Sequence, residues 1–213
     1  MAILYTQAFD IISGQEAAYE NFIADYIPRS NKLGLQSVGG FYVVCGFGPR
    51  IIHICRAESI DDLCRILSTK EFRDLLLDIK RYVVNFRSKI LEPTGRVKHQ
   101  EYELRKGIWK FNQYYDLIPG KKKDYADFII NEYLPVIEKI DYVEVTGGWN
   151  VLIGGVSEII GEFTFKSPVD IARILENPDF QRITDVLRTY VVNYVSRIMR
   201  VTERFEESRW YRL

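Results

Sequence analysis

Few side chains in this sequence could carry chemistry, and most of them lie on strand-like runs. Glu162, within Ile159-Ile160-Gly161-Glu162-Phe163, is a carboxylate in an otherwise apolar stretch. Held in an apolar cavity, a carboxylic acid loses the solvation that stabilises its anion, so it can exchange protons near neutral pH as a general acid or base. Glu162 is therefore the candidate catalytic residue. Arg56, Gln113, Asn150, Tyr42 and Gln7 are the candidate ligand-binding residues, each a hydrogen-bonding side chain on a mainly apolar run. Such groups need partners when buried, and a ligand is one kind of partner.

The other reactive types point away from metal and nucleophile chemistry. His53 and His99 are the only histidines. His53 alternates in phase with Ile51 and Cys55 and reads as a packed core residue, while His99 sits among charged residues, so the pair makes no metal site. Cys45, Cys55 and Cys64 match no CxxC or zinc spacing and read as reduced, buried thiols. Lys121-Lys122-Lys123 falls at a predicted helix start, where backbone amides favour an anion but lysines oppose the helix dipole, and reads as a solvated loop. There is no phosphate-binding glycine loop, GxSxG elbow or HExxH pair. The chemistry implied uses no cofactor and no metal.

A unit used twice positions these groups. Tyr82-Val83-Val84-Asn85-Phe86-Arg87-Ser88-Lys89-Ile90 returns as Tyr190-Val191-Val192-Asn193-Tyr194-Val195-Ser196-Arg197-Ile198, 108 residues later in a chain of 213. The first copy reads as a strand over 3–12, then a helix from Gln15 whose buried face is Tyr19, Phe22, Ile23, Tyr26 and Ile27. Next come strands 38–45 and 50–56, split by the hairpin signal Gly46-Phe47-Gly48-Pro49. Helices capped by Ser59 and Thr69 follow, the second running to Val83, and a last strand covers 88–92. The second copy repeats this order, with Asn177-Pro178 capping its last helix. The predicted fold is α+β: two tandem ferredoxin-like βαββαβ repeats, 1–96 and 108–202, joined by a polar connector, 97–107, and followed by a tail, 203–213. Each repeat leaves one sheet face bare, and the other copy covers it, so the sheets pack into a pseudo-dimeric α/β barrel.

Composition limits the partners. With 47% hydrophobic and 27% charged residues the chain can bury a core, and its 14 tyrosines and 12 phenylalanines can fill one. Basic and acidic residues balance at 29 each, so no net field attracts nucleic acid. No apolar run reaches membrane-spanning length, and the first residues lack a basic leader, which predicts a soluble cytoplasmic protein. Fusing two repeats removes the need for a basic dimer and leaves room for further homo-oligomer assembly.

Tyr115-Asp116-Leu117-Ile118-Pro119-Gly120-Lys121, Gly148-Trp149, Phe163-Thr164-Phe165-Lys166-Ser167 and Asn177-Pro178-Asp179-Phe180 resemble the dimeric α/β-barrel superfamily, and within it the NIPSNAP-like branch. The resemblance implies two sheets closed around a lumen, in a superfamily that hosts oxygenases, isomerases, haem enzymes and effector-binding domains. In barrels of the chlorite-dismutase type, haem is held by a histidine of the second repeat; the second half here has none.

Strand alternation then predicts which residues face the lumen. Arg56 and Glu162 fall on the lumen parity of the third strands. In the second strands, Phe41 and Trp149 read as facing the helices and Tyr42 and Asn150 as facing the lumen. The resulting expectation is a small apolar or aromatic ligand in the lumen, with cofactor-independent oxygenase or isomerase activity. The alternatives are an interaction protein whose lumen is filled core, and a ligand-sensing module.

Overall fold

The computed structural model describes residues 3–97, 102, 104 and 108–202; His99 and the tail at 203–213 lie outside the described residues. The first half runs β1 (Ile3–Ile11), α1 (Glu16–Lys32), β2 (Gln36–Gly46), β3 (Ile51–Ala57), α2 (Ile60–Ser68), α3 (Lys70–Ile79) and β4 (Val83–Pro93). The second runs β5 (Trp109–Leu117), α4 (Lys122–Phe128), a π turn (Ile129–Tyr133), α5 (Leu134–Ile137), β6 (Glu144–Ile153), β7 (Ile159–Phe165), α6 (Pro168–Glu176), α7 (Pro178–Arg188) and β8 (Val191–Thr202). The strands form one closed antiparallel ring in the order β1-β3-β2-β8-β5-β7-β6-β4. Each half contributes a ferredoxin-like sheet, and the two are sewn together where β2 pairs β8 and β4 pairs β6. Closure leaves no strand edge unpaired.

The helix starts follow from their caps. Ser59 accepts from the amide of Asp62, Thr69 from Phe72, and Asn177 from both Asp179 and Phe180. These bonds satisfy amides that a helix N-terminus leaves without a partner. One expected boundary moves: the helix predicted to reach Val83 ends at Ile79, and β4 begins at Val83, not Ser88.

That boundary explains the echoed sequence. Tyr82 stacks on Phe22 and Tyr190 on Phe128, with ring centroids 5.0 and 5.1 Å apart. Asn85 and Asn193 both adopt φ 55°, a left-handed conformation that asparagine tolerates better than most residues. Their side-chain amides donate to Asp10 at 2.9 Å and Asp116 at 2.8 Å. The second oxygen of each aspartate accepts the amide of Arg50 or Glu158, both at 2.8 Å. The Tyr-Val-Val-Asn repeat thus fastens β4 to β1 and β8 to β5, and it is structural.

Both faces of the ring are buried. Outside, α1 and α3 cover Phe9, Ile51 and Val83, and α4, α6 and α7 cover Phe111, Phe163 and Val191. Inside, Leu4, Phe41, Ile52, Ile54, Trp149, Ile160 and Met199 form a separate cluster lining the lumen.

Candidate functional site

The lumen encloses a cavity of about 390 Å³, walled by strands from both halves, by Phe47 and Pro49 between β2 and β3, and by Gly154, Gly155 and Val156 between β6 and β7. Tyr102, from the connector, reaches into it and meets Trp149 edge-on at 5.1 Å.

Its polar groups come from both halves, Arg87, Ser88 and Lys89 of β4 on one side and Asn112, Tyr114, Glu162 and Arg197 on the other. Lys110, Asn112 and Tyr114 of β5 occupy the repeat positions of Leu4, Thr6 and Ala8 in β1. Glu162 of β7 stands where β3 has Ile54. Lys110 Nζ donates to Glu162 Oε1 at 2.6 Å and to Thr146 Oγ1 at 2.7 Å. Thr146 donates in turn to Glu162 Oε1 at 3.0 Å, which commits its one O–H, so the 2.7 Å bond to Thr164 takes its hydrogen from Thr164. Tyr102 donates its hydroxyl to Glu162 Oε2 at 2.9 Å. Burial, reinforced by the neighbouring Glu162, pushes the Tyr102 phenol well above its usual range, so it remains a donor. Glu162 is thus the hub of a buried ion pair, where its sequence context predicted a carboxylate without one. The partner, Lys110, lies on a strand whose faces the alternation left undefined.

The rest of the polar wall is cationic. Arg197 of β8 is 7% exposed, and its guanidinium lies 4.0 Å from the centre of the Phe47 ring and 5.0 Å from that of Tyr114. Lys89 of β4 lies 5.4 Å from the Tyr114 ring centre. Burial, then the nearby Arg197 and Arg87, push the Lys89 ammonium down to about 8.

The other candidate residues lie elsewhere. Arg56 follows the lumen parity but ends its strand, donating to Gln36 at 2.9 Å, and does not line the cavity. Tyr42 and Asn150 are on the helix side, and Phe41 and Trp149 face the lumen, the reverse of the sequence expectation. Two β-bulges lie just ahead of these residues: the register shifts between Ser37 and Gly39 and between Val145 and Gly147, which sets the faces of the residues that follow, up to a second shift in each strand at Val43/Cys45 and Val151/Ile153. Asn150 donates to Glu92 at 3.3 Å. Thr146 is the bulged residue itself, which is how its hydroxyl reaches Glu162. Neither the bulge nor the role of Tyr102, placed in a polar connector, has a sequence signal as plain as the repeat.

Gln7 and Gln113 also face the helices. Gln7 Oε1 accepts from Tyr26 at 3.0 Å, and Gln113 Oε1 from Tyr133 at 3.0 Å. Gln113 lines a second space of about 40 Å³, of the order of a water molecule or two, opened by Gly161 where the first half has His53. His53 is fully buried, with Nδ1 3.2 Å from Gln7 Oε1 and Nε2 2.8 Å from Ser37 Oγ. Nδ1 donates to the carbonyl and Nε2 accepts from the hydroxyl, which is the neutral ring. Burial pushes its pKa down to about 4. Because the unfolded chain binds the proton near pH 6.5 and the folded one does not, stability falls as pH drops from about 6.5 to 4, by about 3 kcal/mol. A His53→Gln variant is expected to lose most of this acid slope in urea titrations at pH 7 and pH 4.5. Cys55 is buried beside His53, its thiol pushed up to about 12 by burial, whereas Cys45 and Cys64 are exposed, contrary to the buried reading.

No family model matches the chain, and no curated protein resembles it at a significant level. A candidate monooxygenase from Lactobacillus acidophilus NCFM superposes with TM-score 0.64 at 8% identity, covering 95% of this chain and 96% of its own. A mutant chlorite dismutase from Candidatus Nitrospira defluvii superposes with TM-score 0.63 at 8% identity, covering 96% and 93%. A NIPSNAP family protein from Agrobacterium tumefaciens str. C58 aligns with 44% of this chain and 94% of its own, at 19% identity and TM-score 0.36. Among the described residues no helix is long and apolar enough to cross a membrane. The closed ring of two ferredoxin-like repeats, superposing nearly end to end on the first two of these structures, gives this chain the fold of the dimeric α/β-barrel superfamily, with one chain supplying both sheets.

Proposed function

We propose that the barrel lumen is a binding site for a small apolar or aromatic molecule and that the protein acts on it as a cofactor-independent oxygenase or isomerase. The observation that carries this reading is the cavity of about 390 Å³ at the centre of an otherwise well-filled barrel, within the range that small-molecule sites occupy. A lumen serving only as structural core would be filled, since unfilled apolar space costs stability in proportion to its volume.

The residues on the wall suit proton transfer followed by stabilisation of an anion. Lys89 exchanges its proton close to neutral pH and is the candidate base. An acidic O–H or activated C–H of the substrate gives its proton to the Lys89 amine, and the anion left behind is held between the Lys89 ammonium so formed and Arg197. Returning the proton at another carbon is isomerisation. Transfer of one electron from the anion to O2, then combination of the two radicals, gives a peroxide and is the oxygenase route. The likeness of the fold to that of a candidate monooxygenase from Lactobacillus acidophilus NCFM supports the second route. Haem does not fit the described lumen: among the described residues its lining contains no imidazole or thiolate.

Native mass spectrometry of the purified protein, with an absorbance scan of the same sample, tests the reading. A retained small molecule that is lost from an Ile160→Trp variant, whose indole fills the lumen, is the expected result. Retention by that variant would place the ligand outside the barrel.

A further inference from the structure

We propose that the ligand is an amphipathic anion, an apolar body ending in a carboxylate or comparable oxyanion, with that oxyanion seated on Arg197 and Lys89. This rests on the lumen being a ligand site and names the chemistry of its ligand. Arg197 is 7% exposed, and its Nε has no hydrogen-bond partner. Among the described residues neither it nor Lys89 is in an ion pair with a carboxylate. The guanidinium lies over the Phe47 ring and reaches the Tyr114 hydroxyl, while the in-plane Nε–H, of the kind that binds an oxyanion, has no partner.

The charge count on the wall is one-sided. Arg87, Lys89 and Arg197 line the cavity, and among the described residues Glu162 is the one carboxylate on it. Glu162 is already neutralised by Lys110. A buried charge without a counter-charge is costly, and two close cations raise the cost for each other. A single anion between Arg197 and Lys89 relieves both. The unpartnered Asn112 Oδ1, 5% exposed and paired in register with Arg197, adds an acceptor for a hydroxyl on the same ligand. The apolar body has Leu4, Ile52, Ile54, Leu91, Ile160 and Met199 to lie against.

Two fluorescent probes separate charge from shape: 1-anilinonaphthalene-8-sulfonate and N-phenyl-1-naphthylamine share a ring system and differ by the sulfonate. Wild-type protein is expected to bind the sulfonate roughly tenfold or more tightly than the neutral amine, the range of a charge-assisted hydrogen bond. Arg197→Met should abolish that preference while leaving the neutral probe bound, and Lys89→Met should reduce it. Thermal melts establish that the variants are folded; Lys89, being only half-buried, provides the test if Arg197→Met is not. The sulfonate preference is also expected to fall as pH rises through about 8, where Lys89 loses its proton. The other charged and titratable groups around Lys89 are Arg87, Arg197 and Tyr114, whose phenol burial pushes up. Equal binding of the two probes by wild type, or a preference surviving both substitutions, would overturn the anion inference and leave the lumen as a site for neutral ligands. Failure of both probes to bind, or binding unaffected by Ile160→Trp, would overturn the lumen site and this inference together.

Discussion

Replacing Glu162 with Gln is expected to lower the free energy of unfolding by about 3 to 5 kcal/mol, because it leaves the Lys110 ammonium buried without a counter-charge. Lys110 and Glu162 have side chains only 1% and 3% exposed, so water cannot substitute for the missing partner. Lys110→Met should cost a similar amount, stranding a carboxylate held only by Thr146 and Tyr102. The double variant Lys110→Met with Glu162→Leu is expected to recover most of the loss, since two apolar residues of similar volume replace the pair. Urea denaturation at fixed pH measures all four proteins, with unchanged m-values confirming that the comparison is of stability alone. If Glu162→Gln were as stable as wild type, Glu162 would not be engaged by Lys110 and would return to being an independent acid or base.

Gly154→Ala is expected to be the most damaging alanine substitution among the loop glycines. Gly154 has φ 80°, and a Cβ there would run into the backbone carbonyl of Ser88 on β4. The left-handed conformation alone costs an L-residue about 1 to 2 kcal/mol, and the backbone contact adds to it because Ser88 is fixed in the ring. Gly120→Ala is the control: its φ is 83°, and nothing lies within 4 Å of the added carbon. The difference between the two, read from urea midpoints, isolates the contact. Equal losses would mean that the loop between β6 and β7 moves aside at no cost. Because Gly154 also walls the lumen, its variant should weaken binding of the neutral naphthylamine probe while Gly120→Ala leaves it unchanged.

The fold was legible because its signals are local and occur twice. Ser59, Thr69 and Asn177 announce helix starts through short-range hydrogen bonds, and the echo of Tyr82–Ile90 in Tyr190–Ile198 gives the duplication directly. The site was legible only where it depends on plain alternation. Glu162 does face the lumen, as the third strands predicted, but the second strands misled because their apolar set, Phe41 and Trp149, was taken for the helix side, and it faces an apolar lumen instead. Hydrophobicity could not correct the error, since both sides of a closed ring are buried and Phe41 is as suitable inside as Tyr42 is outside. Lys110, Lys89 and Arg197 went unnoticed for a related reason: a cation on a strand reads as solvent-facing until the ring is known to close. Gln7 and Gln113 were correctly seen as needing partners, and those partners are the helix tyrosines Tyr26 and Tyr133.

The covalent join between the halves has a consequence for what selection can write into the barrel. In a dimer of identical subunits each lumen residue appears twice, so a lysine on one wall faces its own copy, and a carboxylate that neutralises one must be matched by another. A single mutation there is always two. Here Lys110 stands against Leu4 and Glu162 against Ile54, combinations that a symmetric pair of chains has no means of encoding. Once duplicated, each half could drift on its own at these positions, so that the buried Lys110–Glu162 pair stands on one side of the lumen only, and a bound molecule with two unlike ends then has a single preferred way to enter.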